Sequence, residues 1–251
     1  MSLSLDGDLA EGAAHFGWLQ SLRLSPGFVT PGIVGEAHLL AEEQALFGSL
    51  NLTGAHVLEV GAANGHFSLA AKRRGAARVL ATDHTAWTLP GSTAEEATRF
   101  AARAQGLDIE TLALDPRALT PEHGSFDVVL GTNFFEQLFN PLAALKAMRA
   151  VTRRMVLIQT LMDLHGDARP AMSANLIEMP YGATVAGWAP NPPCVMHLLL
   201  ELGFQRIFFR EHPSEGALRG IFAGFLSSAS PAALTHFNAR AGWTQLTGLD
   251  R

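Results

Sequence analysis

The sequence predicts an α/β protein: a doubly wound, mostly parallel sheet of seven strands with helices on both faces and further helices at the N-terminus. Three observations carry this. From residue 55 onward, short apolar runs alternate with segments of helical period, the pattern of units that build a parallel sheet. At the first junction, His56-Val57-Leu58-Glu59-Val60-Gly61-Ala62-Ala63-Asn64-Gly65-His66-Phe67, glycines occupy the short turn between strand and helix. The third is size: 251 residues with 48% hydrophobic content can fill the core of one such domain.

The elements follow in order. Residues 1–23 carry a weak helical pattern through Leu9, Phe16, Trp18, Leu19 and Leu22, broken at Ser25-Pro26-Gly27. A helix is predicted from Glu36 to Ser49, with Ala37, Leu40, Ala41, Ala45 and Leu46 on its apolar face. Strands are then predicted at 55–60, 77–82, 109–113, 126–131, 153–160, 204–210 and 219–227, the last pairing antiparallel to close the sheet. Helices are predicted at 65–74, 93–105, 140–150 and 193–202. Residues 161–191 interrupt the alternation with Gly166, Pro170, Pro180, Gly182, Gly187 and Pro190. A stretch this long without periodicity reads as a lid, a binding loop or a disordered segment. The chain therefore divides into an N-terminal helical extension (1–50), a main domain (51–228) with an insertion near 161–191, and a C-terminal tail (229–251).

Composition narrows the function classes. Net charge is −5, and the only lysines are Lys72 and Lys146; a nucleic-acid partner is not expected, because no concentrated basic stretch exists. One cysteine, Cys194, excludes an internal disulfide. No apolar run approaches the roughly 20 residues that span a bilayer, and the first residues lack a secretory pattern, so a cytoplasmic location without membrane contact is expected. No Cys/His group has metal-ligand spacing, so no metal is expected. The N-terminal helices are expected to serve as a lid or as a homodimer contact.

The glycine turn carries the chemistry. Gly61 and Gly65 permit positive φ and leave no Cβ between backbone and ligand. The next strand ends in Asp83, whose carboxylate can accept both hydroxyls of a ribose. The turn lacks the Lys-Ser/Thr of a phosphate-binding loop. Glu59 beside it would repel a diphosphate but tolerate a cationic ligand. With Glu59, Gly61 and Gly65 in E/D-x-G-x-x-x-G spacing, the segment resembles motif I of the class I S-adenosylmethionine-dependent methyltransferases. Asp83, Leu112-Ala113-Leu114-Asp115-Pro116 and Gly124-Ser125-Phe126-Asp127-Val128-Val129 match later motifs of that family in order, over about residues 36–228.

The resemblance implies a Rossmann-like methyltransferase fold and S-adenosylmethionine as cofactor. It implies that Glu59, Gly61, Ala62, Asn64 and Gly65 shape the methionine half of the cofactor site. Asp83 would hold the ribose, His84, Asp115 and Pro116 would flank the adenine, and Thr132, Asn133 and Phe134 would meet the cofactor where the fourth strand ends. Within the class, the nearest resemblance is to the tRNA wobble-uridine carboxymethyltransferases. It rests on Phe126 to Pro141, on Asp163, Gly166 and Asp167, and on Trp188-Ala189-Pro190 followed by Leu202-Gly203-Phe204. Two departures stand out. Glu136 occupies the place of a tyrosine that helps hold that group's carboxylated cofactor, and no lysine precedes Lys72.

The expected activity is therefore O- or N-methylation of a small molecule from ordinary S-adenosylmethionine. A tRNA-modifying enzyme and a non-catalytic cofactor-binding scaffold are the alternatives. A hydroxyl acceptor needs a general base. His165, just past the fifth strand, is the first candidate, His197 the second, and Glu136 a further catalytic candidate. Asp163, Tyr181, Trp188 and Asn191 are expected to line the acceptor pocket.

Overall fold

Adjacent residues of the first strand face opposite cores. Val57 packs with Phe67, Val79, Leu130 and Leu157, whereas its neighbour Leu58 packs with Leu80, Val129, Val156 and Ile158. A strand buried on both faces reads as a continuous apolar run, and helices must cover each side. The computed structural model describes residues 2–48, 50–178, 184–227 and 234–246.

The N-terminal part contains α1 (Ser2–Ala13), a short hairpin of β1 (Arg23–Ser25) and β2 (Phe28–Val29), and α2 (Glu36–Leu46). The alternating unit follows: β3 (His56–Val60), α3 (His66–Arg73), β4 (Arg78–Asp83), α4 (Thr85–Thr88), α5 (Ala94–Ala104) and β5 (Glu110–Ala113). Then come β6 (Phe126–Gly131), α6 (Pro141–Val151), β7 (Thr152–Leu161), β8 (Met172–Glu178), β9 (Thr184–Pro190), α7 (Pro192–Glu201), β10 (Arg206–His212), β11 (Gly216–Phe225) and β12 (Thr244–Leu246). All seven predicted strands form.

The main sheet has the order β12-β10-β11-β7-β6-β3-β4-β5. Its five strands from β7 to β5 run parallel, and β11, β10 and β12 are antiparallel to their neighbours. The chain winds outward from β3 to β5, then returns to place β6 on the other side of β3. That reversal opens a crevice at the carboxyl ends of β3 and β6, the place where such sheets bind ligands.

Two expectations are corrected. The sheet has eight strands rather than seven. Phe237 and Trp243, in the segment read as a tail, are buried in the core beside Phe208 and Phe225, and this packing carries Thr244–Leu246 against β10. Residues 161–191 are not wholly irregular either: within them β8 and β9 pair antiparallel from Met172↔Pro190 to Glu178↔Thr184. The hairpin lies against the turn at Phe135–Gln137, where a Cβ on Gly187 would meet the Glu136 carbonyl oxygen at 2.0 Å. The N-terminal part packs on α5, with Leu9, Ala13, Trp18 and Leu22 against Ala97 and Ala101.

Candidate active site

The turn after β3 is built for close approach. Gly61 has φ +85°, and an added Cβ would lie 3.2 Å from the Thr132 carbonyl oxygen. Ala63 also holds positive φ, at 50°, and Gly65 starts α3 at φ +82°. Asp83 buttresses this turn from β4. One of its oxygens accepts the Ala63 N–H at 2.9 Å and the other the Ala86 N–H at 2.8 Å. Burial pushes the Asp83 carboxyl up from its ordinary value, against the pull of those two N–H groups and of His84. Each oxygen retains capacity to accept one further hydrogen bond, the need of a vicinal diol.

A cleft of about 330 Å³ opens over this turn. Gly61, Ala63, Asp83, Thr132 and Asn133 form its floor, and Leu19, Gln20 and Val34 of the N-terminal part overhang it. A narrow annex, lined by His84, Leu114, Pro116, Phe134 and Leu138, shares Gly61, Asp83, Thr132 and Asn133 with the main cleft. The annex thus joins apolar side chains to the carboxylate of Asp83.

The far end of the cleft is polar and densely paired. Glu136 is buried, and one of its oxygens accepts from Thr160 Oγ1 at 2.6 Å and from the Leu161 N–H at 3.2 Å. Its other oxygen pairs with Arg219 at 2.5 Å, and Arg219 also donates to Asn133 Oδ1 and pairs with Glu215. The guanidinium is raised in pKa: burial opposes its charge, but Glu136 and Glu215 outweigh burial. On the opposite wall, α2 contributes His38 and Glu42, and β7 contributes Gln159. Glu42 accepts from Gln159 Nε2 at 2.5 Å and from His212 Nε2 at 2.9 Å, and lies 3.4 Å from His38 Nε2. Burial opposes the Glu42 charge, but these hydrogen bonds and the neighbouring imidazoles hold its carboxyl below the usual range.

The residues singled out in the sequence divide three ways. Gly61, Asp83, Thr132, Asn133 and Glu136 line the cleft, and His84, Pro116 and Phe134 line the annex. Glu59, Ala62, Asn64 and Gly65 line neither the cleft nor the annex. Glu59 takes the Ser68 N–H and hydroxyl, and Asn64 ties down Leu19 and Gln20. Asp115 caps the turn at Pro116–Ala118 and pairs with Arg117.

The predicted acceptor residues lie elsewhere. His165 and His197 are exposed and outside the cleft lining. Asp163 accepts from Ser173, Trp188 donates to the Phe139 carbonyl, and Asn191 caps α7 while binding the Asp167 and Arg169 carbonyls. Tyr181 falls outside the described residues. Sequence reasoning missed Gln20, His38, Glu42, Gln159, Glu215 and Arg219. Only the His38–Glu42 spacing of four, on one face of a predicted helix, offered a signal.

Comparison with known proteins agrees with this geometry. Residues 57–155 match the family model described as a methyltransferase domain. The N-terminal domain of EvdMO1, crystallised with S-adenosylhomocysteine and D-fucose, is similar in structure at a TM-score of 0.68 and 18% identity, over 88% of this chain and 96% of that one. Magnesium protoporphyrin IX methyltransferase from Synechocystis PCC 6803, with bound S-adenosylmethionine, is similar at 0.55 and 14%, over 75% and 81% of the two chains. The glycopeptide N-methyltransferase MtfA, complexed with S-adenosylhomocysteine, is similar at 0.52 and 13%, over 76% and 90%. No curated protein matches the chain. The fold is thus one shared with S-adenosylmethionine-dependent methyltransferases, and residues 57–155 resemble a methyltransferase domain in sequence as well. The match runs from within β3 into β7 and leaves α2, β11 and the β8–β9 pair outside it.

Proposed function

We propose that the chain methylates an oxygen or nitrogen of a small, uncharged molecule bound between α2 and β11. The observation that carries this reading is the far end of the cleft: a walled, polar recess whose one lining guanidinium among the described residues, Arg219, is already neutralised by Glu136 and Glu215. Hydrogen-bonding groups converge there without a free cation to hold a phosphate or nucleic-acid backbone. A sugar-sized hydroxylated acceptor suits that lining, and D-fucose accompanies the cofactor product in the EvdMO1 domain.

The cofactor supplies an electrophilic methyl group on a sulfonium. Asp83 is assigned to the ribose hydroxyls, the annex at His84, Pro116 and Phe134 to the adenine, and the backbone at Gly61–Ala63 to the methionine half. Glu136, Gln137 and Gln159 orient the acceptor, so that positioning supplies much of the rate.

Calorimetric titration tests the reading. S-adenosylmethionine and S-adenosylhomocysteine should bind, and Asp83→Ala should weaken both by about 10- to 100-fold, the cost of losing charge-assisted hydrogen bonds. Equal affinity in the variant would remove Asp83 from the site. Preference for carboxy-S-adenosylmethionine would instead favour the tRNA-modifying group. That outcome would mean the Glu136–Arg219 pair opens to hand its guanidinium to the cofactor's extra carboxylate.

A further inference from the structure

We propose that His38 is the general base for a hydroxyl acceptor, with Glu42 as its positioning residue. The inference rests on the methyltransferase reading above and assigns its acceptor chemistry. His38 and Glu42 occupy successive turns of α2 and both line the cleft. His38 Nε2 lies at ion-pair distance from two carboxylates, 3.4 Å from Glu42 and 3.7 Å from Glu215, and their negative charge favours the proton on that nitrogen. Its Nδ1 is thereby kept as the basic atom.

Glu42 is itself fixed from behind. Gln159 donates to it from β7 and His212 from β10, and the His212 ring lies 5.2 Å from that of His38. His212 Nδ1 accepts the N–H groups of Ser214 and Glu215, at 3.2 and 3.0 Å. A nitrogen that accepts two N–H groups carries no proton, so His212 Nε2 is the protonated one and donates to Glu42.

This tautomer decides between two uses of the cluster. His38, Glu42 and His212 lie close enough together to hold a metal ion. A metal bound at His212 Nε2 would require a proton on Nδ1, facing two backbone donors. The geometry selects the acid–base arrangement.

In the reaction the acceptor oxygen bonds to the methyl carbon as its proton passes to His38 Nδ1. The carbon–sulfur bond breaks, its electron pair stays on sulfur, and the resulting imidazolium rests against Glu42 and Glu215 until it releases the proton to solvent. Arg219 faces the same space from β11 but is held by Glu215 and Glu136.

The test is nitrogen-15 NMR of histidine-labelled protein saturated with S-adenosylhomocysteine at pH 8. The expected spectrum has His38 and His212 each protonated at Nε2, and Glu42→Gln turns His38 into a tautomer mixture. His38 protonated at Nδ1, or a His38 signal unchanged in Glu42→Gln, overturns the proposal. Broadening of both histidine signals by added Mn²⁺ overturns it in favour of a metal centre. His38→Ala should bind S-adenosylhomocysteine within about twofold of wild type, so loss of the base and failure of the cofactor reading stay distinguishable. Turnover is read with tritiated S-adenosylmethionine and pooled neutral monosaccharides. In His38→Ala kcat should fall by about 10²–10⁴; an undiminished kcat overturns the assignment.

Discussion

Glu59 shows how much of a site a motif discloses at the level of one residue. The spacing to Gly61 and Gly65 was legible in the sequence, because a turn that needs positive φ selects glycine. The direction of the side chain was not, because alternation along a strand gives a face and not a set of partners. Glu59 points away from the cleft and takes both the Ser68 N–H, at 2.7 Å, and its hydroxyl. Its second oxygen is buried with no hydrogen-bond partner among the described residues. Burial dominates and, with the Asp83 charge adding to it, outweighs the Ser68 hydrogen bonds and pushes the carboxyl up to about 8. The folded-state value lies above the unfolded value of 4.5, so the neutral form is the one that folding favours. Its contribution is fully present below pH 4.5 and is lost as pH rises toward 8. Glu59→Gln mimics the neutral acid and should be more stable than wild type at pH 8, by up to about 4 kcal/mol. Urea unfolding across this range checks it: the difference must shrink as pH falls to 4.5, and a pH-independent difference would remove the buried carboxyl as its source.

At the scale of elements, legibility followed burial on two faces. The strands β3, β4, β6 and β7 carry the apolar runs Val57-Leu58, Val79-Leu80-Ala81, Val128-Val129-Leu130 and Met155-Val156-Leu157-Ile158 because a core lies on each side, and the sequence marks them as such. The β8–β9 hairpin has no second sheet to bury against. Leu176 is 80% exposed, and glycine and proline punctuate the segment, so neither alternation nor an apolar run appears. What anchors the hairpin is the close fit of Gly187 on the Glu136 backbone, a contact between elements that no periodicity encodes. Gly187→Ala would set a methyl 2.0 Å from the Glu136 carbonyl oxygen and 2.4 Å from its carbonyl carbon. Backbone atoms cannot rotate aside, so the hairpin must withdraw. The expected cost is about 1–3 kcal/mol, the usual price of overpacking. Denaturant unfolding measures it, and wild-type stability in Gly187→Ala would show that the hairpin is free to shift on its support.

At the scale of the whole molecule, the segments flanking the main domain pack onto it through residues 9–24 and 237–246, and the N-terminal one helps build the cleft. Composition gave no hint of how the overhang is held, because the bonds that fasten it are polar and long-range. Asn64 is fully buried, and its side-chain oxygen accepts the N–H groups of Leu19 and Gln20 at 2.7 and 3.1 Å. Gln20 answers by accepting the His66 N–H at 3.1 Å, so α3 and the overhanging segment are joined through two amides. In the sequence Asn64 reads as a turn residue that touches the cofactor; in the fold it fastens the overhang above it. Asn64→Ala leaves two N–H groups without their acceptor, at a cost of about 2–4 kcal/mol. Because Leu19 and Gln20 line the cleft, the loss should fall on cofactor affinity as well as on stability. The expected outcome is S-adenosylhomocysteine affinity reduced by about tenfold, with far-ultraviolet circular dichroism unchanged and faster amide exchange confined to residues 17–34. Unaltered affinity beside faster exchange would mean that the overhang covers the cleft without contributing to it. The N-terminal part would then serve the core beneath α5 alone.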